Sequence, residues 1–140
     1  MLFDPDNNVV KLCAQGMNLE GKGKLKDANR LFLQAWKEAT NDFEKFTAAH
    51  YVARYQKSVE EKLKWDETAL QLAFKIDDDT IKETYPSLYL NIAKCYEDLN
   101  DFVNAKKNYQ LALSFTNKLP DNGYGDIIIE GIKNGIKRVT

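Results

Sequence analysis

Apolar residues recur every three or four positions along most of the chain, a spacing typical of amphipathic helices. The clearest stretch runs from residue 88 to residue 113, where one helical pattern ends at Asn100-Asp101 and a second begins at Phe102. The strict alternation of apolar and polar residues that indicates β-strands is absent. The pattern therefore predicts an all-α protein with seven helices, near residues 6–21, 24–39, 42–58, 61–76, 84–99, 102–117 and 125–138.

Residues with capping chemistry mark the expected helix starts. Asn41, with Glu44 three residues later, predicts the start of the third helix. Thr80 and Glu83 have the spacing of a capping box. The fifth helix therefore either begins near residue 84, or begins earlier and bends at Pro86.

The predicted helices form a repeat of 38 or 39 residues. The spacings of 38 and 39 residues separate Ala35, Ala73 and Ala112. The same two spacings separate Leu25, Leu63 and Phe102. Helix pairs of this kind bury their apolar faces by stacking on their neighbours. We therefore expect a single domain over residues 1–140, with repeats at about 6–40, 41–79 and 80–118 and a terminal capping helix at about 124–139.

The third unit resembles a tetratricopeptide repeat (TPR). The residues that carry the resemblance are Tyr89, Ile92, Ala93 and Tyr96 on the first helix, and Ala105, Tyr109 and Ala112 on the second. The resemblance covers about residues 9–116 and implies a right-handed superhelix of antiparallel helix pairs, that is, a TPR-like α-solenoid. In the middle unit Arg54 and Asp66 replace small residues of the pattern. That unit therefore either packs differently or is shifted in register by one residue.

The resemblance also implies where a partner binds, because in this family the first helices of successive units line a concave groove. The residues that match these inward positions are Met17, Tyr51, Arg54, Tyr55, Leu90, Asn91 and Lys94. Tyrosine and arginine provide large contact areas at interfaces. The implied function is a protein–protein interaction scaffold that binds a peptide or helical segment in its groove and has no catalytic activity of its own. The lysines and asparagines with which one subclass grips chaperone C-termini are missing from the first two units, which disfavours a cochaperone.

The last predicted helix suggests an alternative function, which is self-association. Ile127, Ile128, Ile129 and Ile132 provide more apolar side chains than this helix needs to cover the exposed apolar face of the last repeat. Gly131 and Gly135, four residues apart, allow another helix to approach closely. The chain is then a structural or assembly module that forms a homodimer through this helix.

Sequence motifs for other chemistry are incomplete. Residues 16–23 resemble a phosphate-binding loop, but Gly23 stands where serine or threonine must reach magnesium. The aspartates that begin at Asp4 lack the glycine and glutamate of a calcium loop, and capping is the simpler interpretation. His50 is the single histidine and has no nucleophile within helical reach. We therefore expect neither an enzyme nor a cofactor or metal site.

Composition and charge restrict the partners further. The 20 Lys and Arg residues nearly cancel the 21 Asp and Glu residues, and each basic group has acidic neighbours. We therefore expect a protein or peptide partner rather than nucleic acid or a membrane. The two cysteines lack C-x-x-C spacing, and the N-terminus lacks the pattern of a signal peptide. Both observations lead us to expect a cytoplasmic protein with reduced thiols.

Overall fold

The computed structural model describes residues 4–140; residues 1–3, which belong to the predicted domain, lie outside this range. The helices are α1 (Asn8–Gly21), α2 (Leu25–Glu38), α3 (Asp42–Val52), α4 (Val59–Phe74), α5 (Tyr85–Asp98), α6 (Phe102–Ser114) and α7 (Gly123–Val139). Short 3₁₀ segments occupy Ala53–Tyr55, Asp79–Thr84 and Thr116–Lys118. No strand occurs between residues 4 and 140, so the prediction of an all-α protein with seven helices is confirmed for this part of the chain.

Side-chain caps determine where several helices begin. The Asn41 side chain accepts a hydrogen bond from the Glu44 amide, as predicted. Asn7 caps α1 through the amides of residues 9 and 10, so this helix starts two residues later than expected. Asp78, and not Thr80, caps the 3₁₀ segment that precedes α5. Pro86 lies in the first turn of α5, where its missing N–H removes no helical hydrogen bond.

Two of the turns between helices share one left-handed residue. Gly23 and Asn100 have φ values of 76° and 60°, and they lie 77 residues apart, which is two repeat lengths. In both turns the next amide bonds back to the carbonyl four residues before the left-handed residue: Lys24 to Leu19 and Asp101 to Tyr96, each at 2.9 Å. This hydrogen bond closes the C-terminus of the preceding helix. The first and third units therefore reverse the chain in the same way.

The middle unit departs from this design. The third helix ends at Val52 instead of near residue 58, and a 3₁₀ turn leads to extended backbone at Gln56. Ser58 then caps α4 by accepting a hydrogen bond from the Glu61 amide. Ala53 is buried while its neighbour Arg54 is exposed. The buried small residue of this unit thus lies one position before the one that the repeat predicted.

The helices pack mainly on their neighbours in sequence, and their short connections reverse the chain between them. Contacts between alternate helices join α1 to α3 and α5 to α7. Three buried clusters follow one another along the chain, and shared aromatic residues connect them. Trp36 meets Trp65 edge to face at 4.9 Å between the first two clusters, and Tyr96 borders the second and third. This packing is that of a helical bundle or a helical repeat.

Burial follows the repeat on the second helix of each pair. Ala35, Ala73 and Ala112 are all 0% exposed, and the residues three positions before them, Phe32, Leu70 and Tyr109, are buried as well. The residues a further turn back are Ala28, Asp66 and Ala105, and all three are buried. An aspartate therefore occupies a core position that alanine occupies in the other two units.

The terminal helix α7 packs against α5 and α6. Ile132 is 0% exposed, and Gly135 lies directly on the ring of Tyr109, where a Cβ atom would clash. Near the C-terminus of α7, Arg138 bonds to Glu97 at 2.9 Å and to the Tyr109 hydroxyl. These contacts fix α7 to the preceding pair of helices.

Three residues of the proposed dimer surface are therefore used within the chain. Ile132 and Gly135 are buried, and Gly131 faces Leu90 of α5, with 3.5 Å between the position of its Cβ and the Leu90 side chain. The expectation that these residues face another copy is wrong, because α7 has turned them towards α5 and α6. Of the isoleucines in the run, Ile127 is the exposed one, at 69%.

Candidate functional site

A groove runs between α3 and α5 and contains two adjoining pockets. The first, which we call the aromatic pocket, has a volume of about 140 Å³. Its apolar walls come from α3, α5 and α7: Phe46, Tyr51, Leu88 and Tyr124. Its polar lining consists of Thr47, His50, Thr84 and Ser87. Tyr124 reaches across from α7, and its hydroxyl bonds to the Ser87 hydroxyl at 2.8 Å.

The second, which we call the polar pocket, has a volume of about 280 Å³. Its lining residues outside the aromatic pocket are Ala53, Arg54, Lys62, Asp66, Asn91 and Ile128. It shares His50, Ser87 and Tyr124 with the aromatic pocket. The two pockets therefore form one continuous cleft, the α3–α5 groove, with an apolar part and a hydrogen-bonding part.

His50 lies where the two pockets meet. Its Nδ1 atom is buried and has no hydrogen-bond partner among residues 4–140. Burial, with smaller contributions from the nearby charges of Arg54 and Lys62, lowers the pKa of His50 to about 4. The imidazole is therefore neutral at physiological pH, and it adds no charge to the groove.

Asp66 forms the floor of the polar pocket. Its carboxylate accepts hydrogen bonds from the Lys62 ammonium at 2.6 Å and from the Cys95 thiol at 3.4 Å. Burial raises the pKa of Asp66, and the bonds from Lys62 and Cys95 oppose this shift. The Lys62 ammonium thus supplies the counter-charge that a carboxylate at this alanine position requires.

Tyr51 near the end of α3 and Arg54 in the 3₁₀ segment that follows form one rim of the groove. The Tyr51 ring stacks on the buried Phe32 at 5.0 Å, and its hydroxyl donates to the Met17 sulfur at 3.0 Å. The Arg54 guanidinium lies 4.8 Å from the centre of the Tyr51 ring. Burial raises the pKa of Tyr51. Tyr51 is thus both a wall of the aromatic pocket and a packing residue of the first core cluster.

Glu20 of α1 holds two of the predicted groove residues in place. It bonds to Arg54 at 2.7 Å and to the Tyr55 hydroxyl at 2.5 Å. The Tyr55 ring stacks on Phe32 at 5.9 Å. Burial, together with the hydrogen bond to Glu20 and the charge of that residue, raises the pKa of Tyr55 to about 12. Tyr55 therefore packs beside the groove rather than lining its pockets.

The three residues predicted on α5 lie on different faces. Asn91 lines the polar pocket. Leu90 packs against α7 beside Gly131 and lies outside the linings of both pockets. Lys94 is exposed and pairs with Asp98 at 2.6 Å, which leaves it outside the linings of both pockets.

The groove also contains residues that sequence reasoning missed. Phe46, Ser87 and Tyr124 line it, although none of them was predicted as a site residue. Phe46 and Ser87 carry a helical-spacing signal, since each lies four residues before a groove residue, His50 or Asn91, on the same helix. Tyr124 has no such signal, because its position depends on the path of α7 across the groove.

The remaining chemistry of the described residues is limited. Cys13 and Cys95 are free and buried, and burial raises the pKa of each thiol to about 12. Between residues 4 and 140, no three His, Cys, Asp or Glu side chains come together as metal ligands would. In the same range, no helix is both long and apolar enough to cross a bilayer.

The comparisons with known proteins give no relative from which a function can be carried over. The sequence matches no protein-family model, and searches of curated proteins and of solved structures return no match. The geometry of the groove is therefore the basis on which a function is proposed.

Proposed function

We propose that this protein is an interaction module with TPR-like helix pairs, which binds a peptide segment of a partner protein in the α3–α5 groove. The observation that carries this proposal is the groove itself, in which an apolar pocket and a hydrogen-bonding pocket adjoin at His50, Ser87 and Tyr124. A peptide offers both kinds of group, apolar side chains and backbone amides, at short intervals. Binding sites of this kind combine apolar walls with a few placed polar groups.

The repeat supports the TPR-like part of this proposal. The first and third units share their turn hydrogen bonds, and all three units bury an equivalent alanine. In such an array the first helices of successive pairs line one face. The groove lies between two of them, α3 and α5.

Binding without catalysis is the function that the available side chains favour. The two thiols are protonated at neutral pH because their pKa values are about 12, so neither is a ready nucleophile. The Nδ1 atom of the neutral His50 ring accepts no hydrogen bond from a hydroxyl or thiol among residues 4–140. General-base activation of a nucleophile requires such a bond.

Selection from a random-peptide display library tests this proposal. Wild type should enrich peptides that a Ser87→Phe variant does not bind, because the added ring fills the aromatic pocket. Ser114→Phe is the matched control, since Ser114 is exposed on α6 and lines neither pocket. Circular dichroism and melting curves establish that both variants are folded. Enrichment of no peptide, or equal binding to the Ser87→Phe variant, would contradict the proposal.

A further inference from the structure

The size of the aromatic pocket indicates what fills it. A dry apolar cavity of about 150 Å³ in another protein accepts one benzene molecule, and the aromatic pocket measures about 140 Å³. Its walls include Phe46, Tyr51 and Tyr124. Rings of this kind contact another aromatic ring favourably edge to face or in offset stacks. The pocket therefore fits one phenyl-sized side chain.

The positively charged side chains at the polar pocket are more exposed to solvent than the carboxylates with which they pair. The Arg54 side chain is 41% exposed and its partner Glu20 is 20% exposed. The Lys62 side chain is 36% exposed, whereas its partner Asp66 is only 3% exposed. In both ion pairs the cation is thus nearer the solvent than the carboxylate. Asn91 adds an amide to the same lining.

The donors of Arg54 and Lys62 are therefore the more exposed charged groups of this lining, whereas the Asp66 carboxylate at its floor is 3% exposed and bonded to Lys62. Arg54 has five N–H donors in all, and the hydrogen bond that it makes to Glu20 uses one of its terminal nitrogens. A ligand that brings a carboxylate complements these donors, whereas a ligand that brings a cation meets like charge. Complementary charge of this kind selects partners.

The two pockets have His50, Ser87 and Tyr124 in common as lining residues, so they adjoin closely enough for one ligand to occupy both. In an extended peptide, residues i and i+2 point to the same face. We propose that the partner segment is an extended peptide in which an aromatic residue and an aspartate or glutamate are separated by one residue. The ring occupies the aromatic pocket and the side-chain carboxylate meets Arg54 and Asn91. This inference rests on the proposed function and specifies its ligand.

A synthetic probe tests the inference directly. The probe is the peptide Gly-Glu-Gly-Phe-Gly-Glu-Gly with an acetylated N-terminus and an amidated C-terminus, which places an acid two residues from the ring in either direction. Isothermal titration calorimetry and ¹⁵N-edited NMR measure its binding to the whole chain. Replacing Phe by Ala should weaken binding at least about tenfold, because it removes the buried ring. Replacing both Glu by Gln should weaken binding about two- to fivefold, as expected for a partly exposed ion pair.

The protein side of the test uses two arginines. Arg54→Gln should bind the Glu and Gln peptides equally, because the ion pair then lacks its protein partner. Arg30→Gln is the matched control, since the Arg30 side chain is 79% exposed on α2 and should keep the full difference between the two peptides.

Each contrary result has a definite meaning. Equal affinity of the Phe and Ala peptides, or of the Glu and Gln peptides, would overturn the inference. A further version of the Gln peptide carries a free C-terminal carboxylate instead of the amide. If the Gln peptide binds only in this form, the groove recognises a chain terminus and not an acidic side chain, which would also overturn the inference. No binding of any probe would also overturn it. The proposed function fails separately, when display selection yields no peptide that depends on the groove. Display peptides that need the groove but lack the aromatic and acidic pair would keep the function and refute this ligand.

Discussion

Replacement of Lys62 by methionine isolates the cost of burying an aspartate in the second repeat. The substitution keeps a flexible side chain of similar length and removes the charge that neutralises Asp66. The Asp66 side chain is 3% exposed, so water cannot replace the lost ammonium. The Cys95 thiol, at 3.4 Å, remains as a weak donor.

Two energies limit how much stability the Lys62→Met variant can lose. Removing one partner of a buried ion pair lowers the free energy of unfolding by about 3–5 kcal/mol. The Asp66 carboxyl can instead take up a proton in the folded chain. The ordinary pKa of this group is 3.8, and protonation costs about 1.4 kcal/mol of folding free energy for each pH unit above that value. The loss is therefore limited to about 4.5 kcal/mol at pH 7 and to about 1.7 kcal/mol at pH 5.

The pH dependence has a definite sign. Burial raises the pKa of Asp66 in the folded chain above its unfolded value, and loss of Lys62 removes the main opposing interaction. Between the unfolded and folded pKa values the native state holds more protons than the unfolded state. Its stability in this range therefore falls as the pH rises. Lys62→Met should lose more stability at pH 7 than at pH 5.

Urea denaturation followed by circular dichroism at both pH values measures these losses. Lys64→Met is the matched control, because Lys64 is exposed on the same helix and should change stability by less than about 0.5 kcal/mol. Asp66→Ala should cost less than about 1 kcal/mol, because it leaves only the part-exposed Lys62 unpaired. Equal losses in Lys62→Met and Asp66→Ala, or no difference between the two pH values, would refute the reasoning.

Two further predictions concern burial. Gly135→Ala puts a methyl group against the buried ring of Tyr109 and should lower the free energy of unfolding by about 1–3 kcal/mol. Gly21→Ala is the control, because a Cβ atom added at Gly21 has no neighbouring side chain within 4 Å. Equal melting temperatures of the Gly135→Ala and Gly21→Ala variants would contradict the close packing. NMR titration of His50 should give a midpoint of about 4, against 6.5 for an ordinary histidine. As the pH is lowered, the unfolded chain takes up this proton before the folded chain does, so stability falls as the pH decreases from 6.5 to 4. A midpoint near 6.5 would show that His50 is not buried.

The sequence was sufficient for the features that local interactions determine. Six of the seven helices lie within three residues of their predicted ends, because helical periodicity and caps such as Asn41 act over a few residues. The alanines 35, 73 and 112 were predicted as equivalent, and all are buried. Close contact between two helices requires a small side chain, so an alanine that recurs at the same repeat position indicates such a contact directly in the sequence.

Tertiary packing determined what the sequence did not reveal. The third helix ends early because residues 53–55 tighten into a 3₁₀ turn, and this change places Arg54 on the rim of the groove and Ala53 in the core. Leu90 matched a groove position, yet α7 covers it. Tyr124 lines the groove only because α7 crosses it. Each of these outcomes depends on how a helix is rotated against distant neighbours, which residue spacing does not specify.

The most direct test of the central claim is the position of a bound aromatic ring. Intermolecular nuclear Overhauser effects from the phenyl protons of the Phe-containing probe should reach the methyl groups of Leu88 and Thr47, which line the aromatic pocket. They should be absent for the Ser87→Phe variant. Contacts from the same ring to Ile127 or Leu33, which are exposed outside the pocket, would show that peptides bind elsewhere and would contradict the assignment of the α3–α5 groove as the binding site.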